Sequence, residues 1–418
     1  MSHTRRDFLK ATLGASTLLS FAPVAPNFLV RSAMATSRRR HDRNTVLVVV
    51  QLSGGNDGLN TVAPYGDDEY GRNRPTLRLP TKQLHKIDSY VGFHPRMGAF
   101  MRLYKEGQLS IVRGVGYPNS NRDHERAMEI WHTADPDRLN CQTGWIGRTV
   151  DSISSPGRTN PPAVFVGPIA RPFALNAQNA IVPSINSPQD LTTGQIPGGP
   201  NDPRRKKDAA GRARADHDDP LLGFLRQSAV RARQNSRRIE AVVKASGGTA
   251  EYPSSPLAGS LRTVAQLIQA DISIRIFSVE VGGGGIGGFD NHANQLGNHC
   301  ALLHQLSESV AAFVADLKRN NLLDRVLLMT FSEFGRILKE NGRRGTNHGV
   351  AAPIFLAGGK LRGGLIGKHP SLTDLDNGAL KFHTDFRRVY ATVLDRWLGF
   401  DSRVVLDKQF EPVDILSA

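Results

Sequence analysis

The chain of 418 residues carries 53 Lys and Arg against 38 Asp and Glu, a formal net charge of +15. That charge suits a polyanion such as an acidic glycan, a lipid head group or a phosphate or sulfate ester, and with no recognised binding motif beside it nucleic acid is excluded as a partner. The two cysteines, Cys141 and Cys300, are no disulfide framework, although they could pair in an oxidising compartment.

At the N-terminus, Thr4-Arg5-Arg6-Asp7-Phe8-Leu9-Lys10 leads into a mildly apolar stretch from Ala11 to Val30, followed by Ser32-Ala33-Met34-Ala35. A charged lead, an apolar run and a small-residue site make a secretory signal, and the arginine pair marks the form read by the twin-arginine translocase. Residues 1–35 are therefore expected to be a signal peptide, cleaved after Ala35 or kept as an anchor. The expected location is periplasmic or secreted. Pro23 and Pro26 break the apolar run, which argues against a stable membrane span. About 380 residues remain, enough for one large or two ordinary domains.

The run Thr45 to Leu52, TVLVVVQL, reads as a fully buried strand of a parallel sheet. Further strands are expected at Leu109–Val112, Ala163–Val166, Ile274–Val281, Val326–Phe331 and Pro353–Leu356. Helical patterns lie at Pro95 to Lys105, Glu125 to Thr133 and Leu221 to Lys244, the last long and basic. The clearest helix spans Ala293 to Arg319. Leu296, Cys300, Leu303, Leu306, Val310, Phe313 and Leu317 share its apolar face, which predicts a buried thiol at Cys300. Strands alternating with helices predict an α/β fold with a largely parallel central sheet and helices on both faces. Ser187 to Pro220, rich in Pro, Gly and charge, reads as a long surface insertion.

Ligands of open α/β sheets bind beyond the carboxyl ends of the strands. Loops after the expected strands carry Asp57, Asp290 with His292, and Glu333, and the loop before Pro353 carries His348. Carboxylates and imidazoles gathered at one sheet edge suit Zn²⁺ or a similar divalent ion. The segment Gly282 to Gln295, GGGGIGGFDNHANQ, leaves two readings open. Its glycines make either a flexible surface loop or a close turn that presents Asp290 and His292.

The stretches QLSGGNDGLNTVAP, GYPNSNRDHERAMEIWHTAD, TGWIGR, GGFDNHANQ, FSEFGR, GTNHG and FLAGG, in this order, resemble the twin-arginine-exported "domain of unknown function 1501" family. That family is similar at a distance to the alkaline phosphatase and sulfatase superfamily, whose members hydrolyse phosphate or sulfate esters with one or two metals. The resemblance implies a single alkaline-phosphatase-like α/β sandwich over residues 36–418. It also implies a metal site drawn from Asp57, Asp290, His292, Glu333 and His348, with one zinc ion favoured over two. Phe334 stands where the superfamily has a histidine, and Asp123 where relatives often have serine. Ser120 is the remaining hydroxyl for a nucleophile and His124 the group to handle a proton. Arg122, Arg126 or Arg336 could hold an anion's oxygens. No Cys-x-Pro-x-Arg sequence occurs, which excludes the formylglycine mechanism of sulfatases.

Two functions follow as expectations. One is an exported, metal-dependent hydrolase of an anionic small-molecule or glycan ester. The other is a binding or assembly protein on the same fold without turnover.

Overall fold

A computed structural model describes residues 44–153, 162–187, 251–281 and 288–417. The expected signal peptide, all but the first residue of the 187–220 insertion, the basic stretch Leu221 to Lys244 and the glycines up to residue 287 lie outside them.

The first strand, β1 (Val46–Leu52), is buried at every position. Its alternate residues serve two separate cores. Val46, Val48, Val50 and Leu52 belong to one apolar cluster, and Leu47 and Val49 to the other. A strand apolar on both faces must be covered on both, and helices supply the cover: α1 (Gly98–Lys105), α2 (His124–Thr133), α3 (Trp145–Ile153), α4 (Pro256–Gln269), α5 (Gln295–Arg319) and α6 (Phe386–Thr392). Phe100 of α1, Leu261 of α4 and Leu306 of α5 fill the first core. Trp131 of α2, Trp145 of α3 and Tyr390 of α6 fill the second.

The other strands of the central sheet and of the site hairpin, in chain order, are β2 (Leu109–Gly116), β3 (Ala163–Val166), β4 (Ser184–Ile185), β5 (Ile276–Val281), β6 (Val326–Phe331), β7 (Arg336–Glu340), β8 (Thr346–His348), β9 (Ala352–Gly358), β10 (Gly364–Ile366) and β11 (Thr384–Asp385). The central sheet has nine strands in the order β10-β2-β9-β6-β1-β5-β3-β4, with β11 also on β2. Only β9 is reversed, running antiparallel to β2 and β6, while the other pairings are parallel. The α/β class, the largely parallel sheet and the two helical layers are those expected. The run at Leu109 extends four residues further than expected, to Gly116. Among the described residues no helix is long and apolar enough to cross a membrane.

Helix α5 departs from its expected face in the first two turns. Leu303, Leu306, Val310, Phe313 and Leu317 are buried, but Leu296 is 42% exposed and Cys300 is only half-buried. The inward positions there are Gln295 and His299. Gln295 Nε2 donates to Asp57 Oδ2 and His299 Nε2 donates to Asn56 Oδ1. A stripe defined by apolar residues alone misses a helix end buried through polar partners. The thiols of Cys141 and Cys300 are both free.

Candidate metal centre

Three parts of the chain meet at the carboxyl edge of the sheet. β1 runs into Ser53-Gly54-Gly55, β6 into Ser332-Glu333, and the chain that leaves β5 returns at Phe289-Asp290. The N-terminus of α2 places His124 beside them. His348 sits in a hairpin rather than in the loop expected, since β7 pairs with β8 and sets Arg336 opposite His348. Two glycines let these backbones touch. Gly54, at φ +111°, would bring a Cβ to 2.5 Å from the Asp290 nitrogen, and a Cβ on Gly345 would collide with the His292 carbonyl.

The donor atoms converge on one carboxylate oxygen. Asp290 Oδ1 lies 3.0 Å from His292 Nε2, 3.2 Å from His348 Nε2 and 3.3 Å from His124 Nε2. His292 Nε2 and His348 Nε2 are 2.8 Å apart. The outer ring nitrogens are held by acceptors. His124 Nδ1 donates to Glu333 Oε1 at 2.8 Å and His348 Nδ1 donates to the Arg122 carbonyl at 2.6 Å. A carboxylate and a carbonyl only accept, so in the neutral rings both Nε2 atoms carry lone pairs that face the cluster.

Electrostatics act differently on the members of the cluster. Burial pushes the Asp290 carboxyl up, but the Arg336 guanidinium, 2.7 Å from Oδ1, outweighs it and holds the group down at about 2. Burial lowers His292. Hydrogen bonding to Glu333 raises His124.

Three imidazoles and a carboxylate are the donor set of a zinc site. Bonds of about 2.05 Å to a tetrahedral ion put neighbouring donors roughly 3.3 Å apart, which is close to the spacings seen. His124 Nε2 supports the same fit, for the atom is buried and lies 3.3 Å from Asp290 Oδ1, at the long limit of a hydrogen bond. His124, Asp290 and His348 place one donor atom each within 4.8 Å of one another, a group that does not include His292.

Other expected residues stand elsewhere. Asp57 is walled into the interior, 2% exposed, with Arg74 Nη1 at 2.5 Å on Oδ2 and the Leu59 nitrogen donating to Oδ1. Burial would raise its carboxyl, but Arg74 holds it below the ordinary range. Glu333, also 2% exposed, faces His124 instead of the open side of the cluster. The Ser120 hydroxyl donates to the Tyr117 carbonyl at 2.5 Å.

None of the three arginines is a spare anion clamp. Arg336 donates to the carbonyls of Gly54, Gly55, Phe289 and Thr346 as well as to Asp290. Arg126 holds Glu129 and two carbonyls, and Arg122 holds the Asp376 carbonyl. Phe334 stacks on His348 with ring centroids 4.5 Å apart. Arg74 and Gln295, which complete the shell of Asp57, carry no signal in the sequence.

A family model described as "Protein of unknown function (DUF1501)" matches residues 44–409. The chain belongs to the DUF1501 family. In this DUF1501 member GGFDNHANQ supplies Asp290 and His292, FSEFGR supplies Glu333, GTNHG supplies His348, and GYPNSNRDHERAMEIWHTAD supplies His124. No curated protein matches it in sequence. Solved structures similar to it include the lipoteichoic acid synthase LtaP from Listeria monocytogenes, at 11% identity over 93% of this chain and 82% of that one, with a TM-score of 0.40. The periplasmic domain of EptC from Escherichia coli, in complex with Zn, is 10% identical over 75% of this chain and 73% of its own, with a TM-score of 0.36. The PsFucS1 sulfatase from Pseudoalteromonas is 10% identical over 92% and 74%, with a TM-score of 0.38.

Proposed function

We propose that this chain is a hydrolase of phosphate or sulfate esters that works with a single divalent metal ion, zinc being the best match to its donors. The observation that carries this reading is the convergence of three imidazole Nε2 atoms on Asp290 Oδ1, two of them with Nδ1 committed to an acceptor on the far side. Lone pairs packed this closely are relieved by a cation among them, or by a proton on one ring nitrogen as in the 2.8 Å contact of His292 Nε2 with His348 Nε2. His124, His292, His348 and Asp290 would hold the ion. Asp57 and Glu333 are engaged elsewhere, which favours one ion over two.

The bound ion would supply Lewis-acid polarisation of an ester oxygen. The chain's own contribution is arrangement. Arg336 keeps Asp290 ionised, and the Phe334 ring shields one side of His348 from water. The first turn of α2 brings backbone N–H groups and the positive end of the helix dipole beside the cluster, which favours an anionic group there. The substrate class is an anionic small molecule or glycan ester, in keeping with the net positive charge. We place the protein outside the cytoplasm by the twin-arginine route. Replacing Arg5 and Arg6 by lysine should retain it in the cytoplasm, and an unchanged periplasmic yield would count against export by that route.

One observation favours a second reading, a binding protein without turnover. The Ser120 hydroxyl expected to attack is bound to a carbonyl. Metal analysis of protein purified without chelator, followed by a panel of phosphate and sulfate esters, separates the two. The hydrolase reading expects one ion per chain and turnover of at least one ester class. Metal without turnover supports the second. His292→Ala and His348→Ala should each bring bound metal near zero, with little further loss in the double variant. A wild-type chain that holds no metal and takes up no added Zn²⁺ overturns the hydrolase reading.

A further inference from the structure

We propose that Glu333 is a positioning residue, which fixes the tautomer and direction of His124 without touching the ion. This rests on reading the cluster as a metal site, and it assigns Glu333 a role different from the ligand role implied by resemblance.

The carboxylate has few free electron pairs. Oε1 accepts from His124 Nδ1 at 2.8 Å and from the Gly54 nitrogen at 2.8 Å. Oε2 lies 3.1 Å from the Ser332 hydroxyl. Two oxygens offer about four acceptor sites, so Oε1 is filled and Oε2 faces the interior. Exposure agrees. The Glu333 side chain is 2% exposed, against 42% for Asp290 and 35% for His124. A carboxylate sealed behind an imidazole reaches an ion only through that imidazole.

Position in the fold explains why a carboxylate is used here. His348 has a backbone carbonyl, that of Arg122, as the acceptor for its outer nitrogen. His124 opens α2, and the helix carries its carbonyls toward the other end, so the acceptor comes from another element. Glu333 lies two residues past the end of β6 and also holds the Gly54 nitrogen beyond β1. One side chain therefore sets the distance between the β1 turn, the end of β6 and the start of α2. A charged acceptor behind an imidazole also raises the basicity of the opposite nitrogen.

The test compares wild type with Glu333→Gln, which keeps the shape and removes the charge. Zn²⁺ affinity is measured by competition with a chromophoric chelator, the coordination shell by X-ray absorption, and the His124 tautomer by ¹⁵N NMR of the metal-free protein. We expect an affinity loss of about 10- to 100-fold, an unchanged number of imidazole and oxygen donors, and a weakened preference for the Nδ1–H tautomer at His124, since the amide oxygen still accepts but carries no charge. Glu333→Asp, one methylene short of His124, should not restore the affinity. An unchanged affinity and tautomer in Glu333→Gln would overturn the proposal, as would loss of an oxygen donor, which would make Glu333 a ligand. If wild type binds no Zn²⁺ the metal reading itself fails, and the His124 tautomer in wild type and variant still decides whether Glu333 orients that ring.

Discussion

Arg74 determines what Asp57 is able to do. Its guanidinium is 0% exposed and donates to Asp57 Oδ2, to Asn60 Oδ1 and to the carbonyls of Leu338 and Ile337. Asp57 stands where a strand-end ligand is expected, and it is spent on this pair. The sequence shows an aspartate after a buried strand but not an arginine 17 positions away that folds back over it. Removing one partner of a buried ion pair leaves the other charge unmatched, so Arg74→Leu should cost about 3–5 kcal/mol by urea unfolding. Replacing both, in Asp57→Leu/Arg74→Leu, should recover much of that loss. A double variant no more stable than Arg74→Leu would mean that the carboxylate does more than balance a charge. Asp290 and His292 are easier to read, since they stand two residues apart in GGFDNHANQ. His348 lies 56 positions from His292, and the β7–β8 hairpin brings it to them.

At the scale of the element, α5 separates what periodicity reports from what it omits. Its last turns follow the apolar stripe, and its first turns are buried through Gln295 and His299. Leu306→Ala should therefore cost about 2–5 kcal/mol, as expected for a fully buried leucine. Leu296→Ala, on the same predicted face, should change stability by less than about 0.5 kcal/mol. Equal losses at both positions would restore the face read from sequence. The two-sided burial of β1 was visible in TVLVVVQL because a strand apolar at every position has no solvent face. The reversal of β9 and the hairpin of β7 with β8 were not, since hydrophobic pattern records burial and says nothing of direction.

Across the whole molecule, the buried histidines set the acid limit. Burial lowers His132 and His299 from 6.5 to about 3 and His94 to about 4. These rings are neutral when folded and take up a proton when unfolded, so stability falls as pH drops below 6.5 and goes on falling toward the folded values. One such histidine should cost about 2 kcal/mol by about pH 5. His132 donates to Gln51 at 2.7 Å, and His132→Gln keeps a donor that does not titrate. Unfolding curves between neutral pH and pH 5 should show that variant losing about 2 kcal/mol less than wild type, and equal losses would assign the acid limit to other groups. Free thiols at Cys141 and Cys300 lead to a second expectation. A reductant should leave the melting temperature unchanged, and a drop would reveal a disulfide.

Arg336 has a consequence for how the protein matures. Its single guanidinium gathers acceptors that lie between 10 and 282 positions away in the chain. The turn after β1 and the Phe289-Asp290 corner cannot be locked together until β7 is in place, because closing such long loops is unfavourable before the contacts that reward it exist. A nascent chain that stops short of Arg336 would already possess His124, Asp290 and His292 and still have no finished pocket. If the cluster holds an ion as proposed, loading would then act as a certificate of progress, issued only to chains that have been made and folded past Arg336.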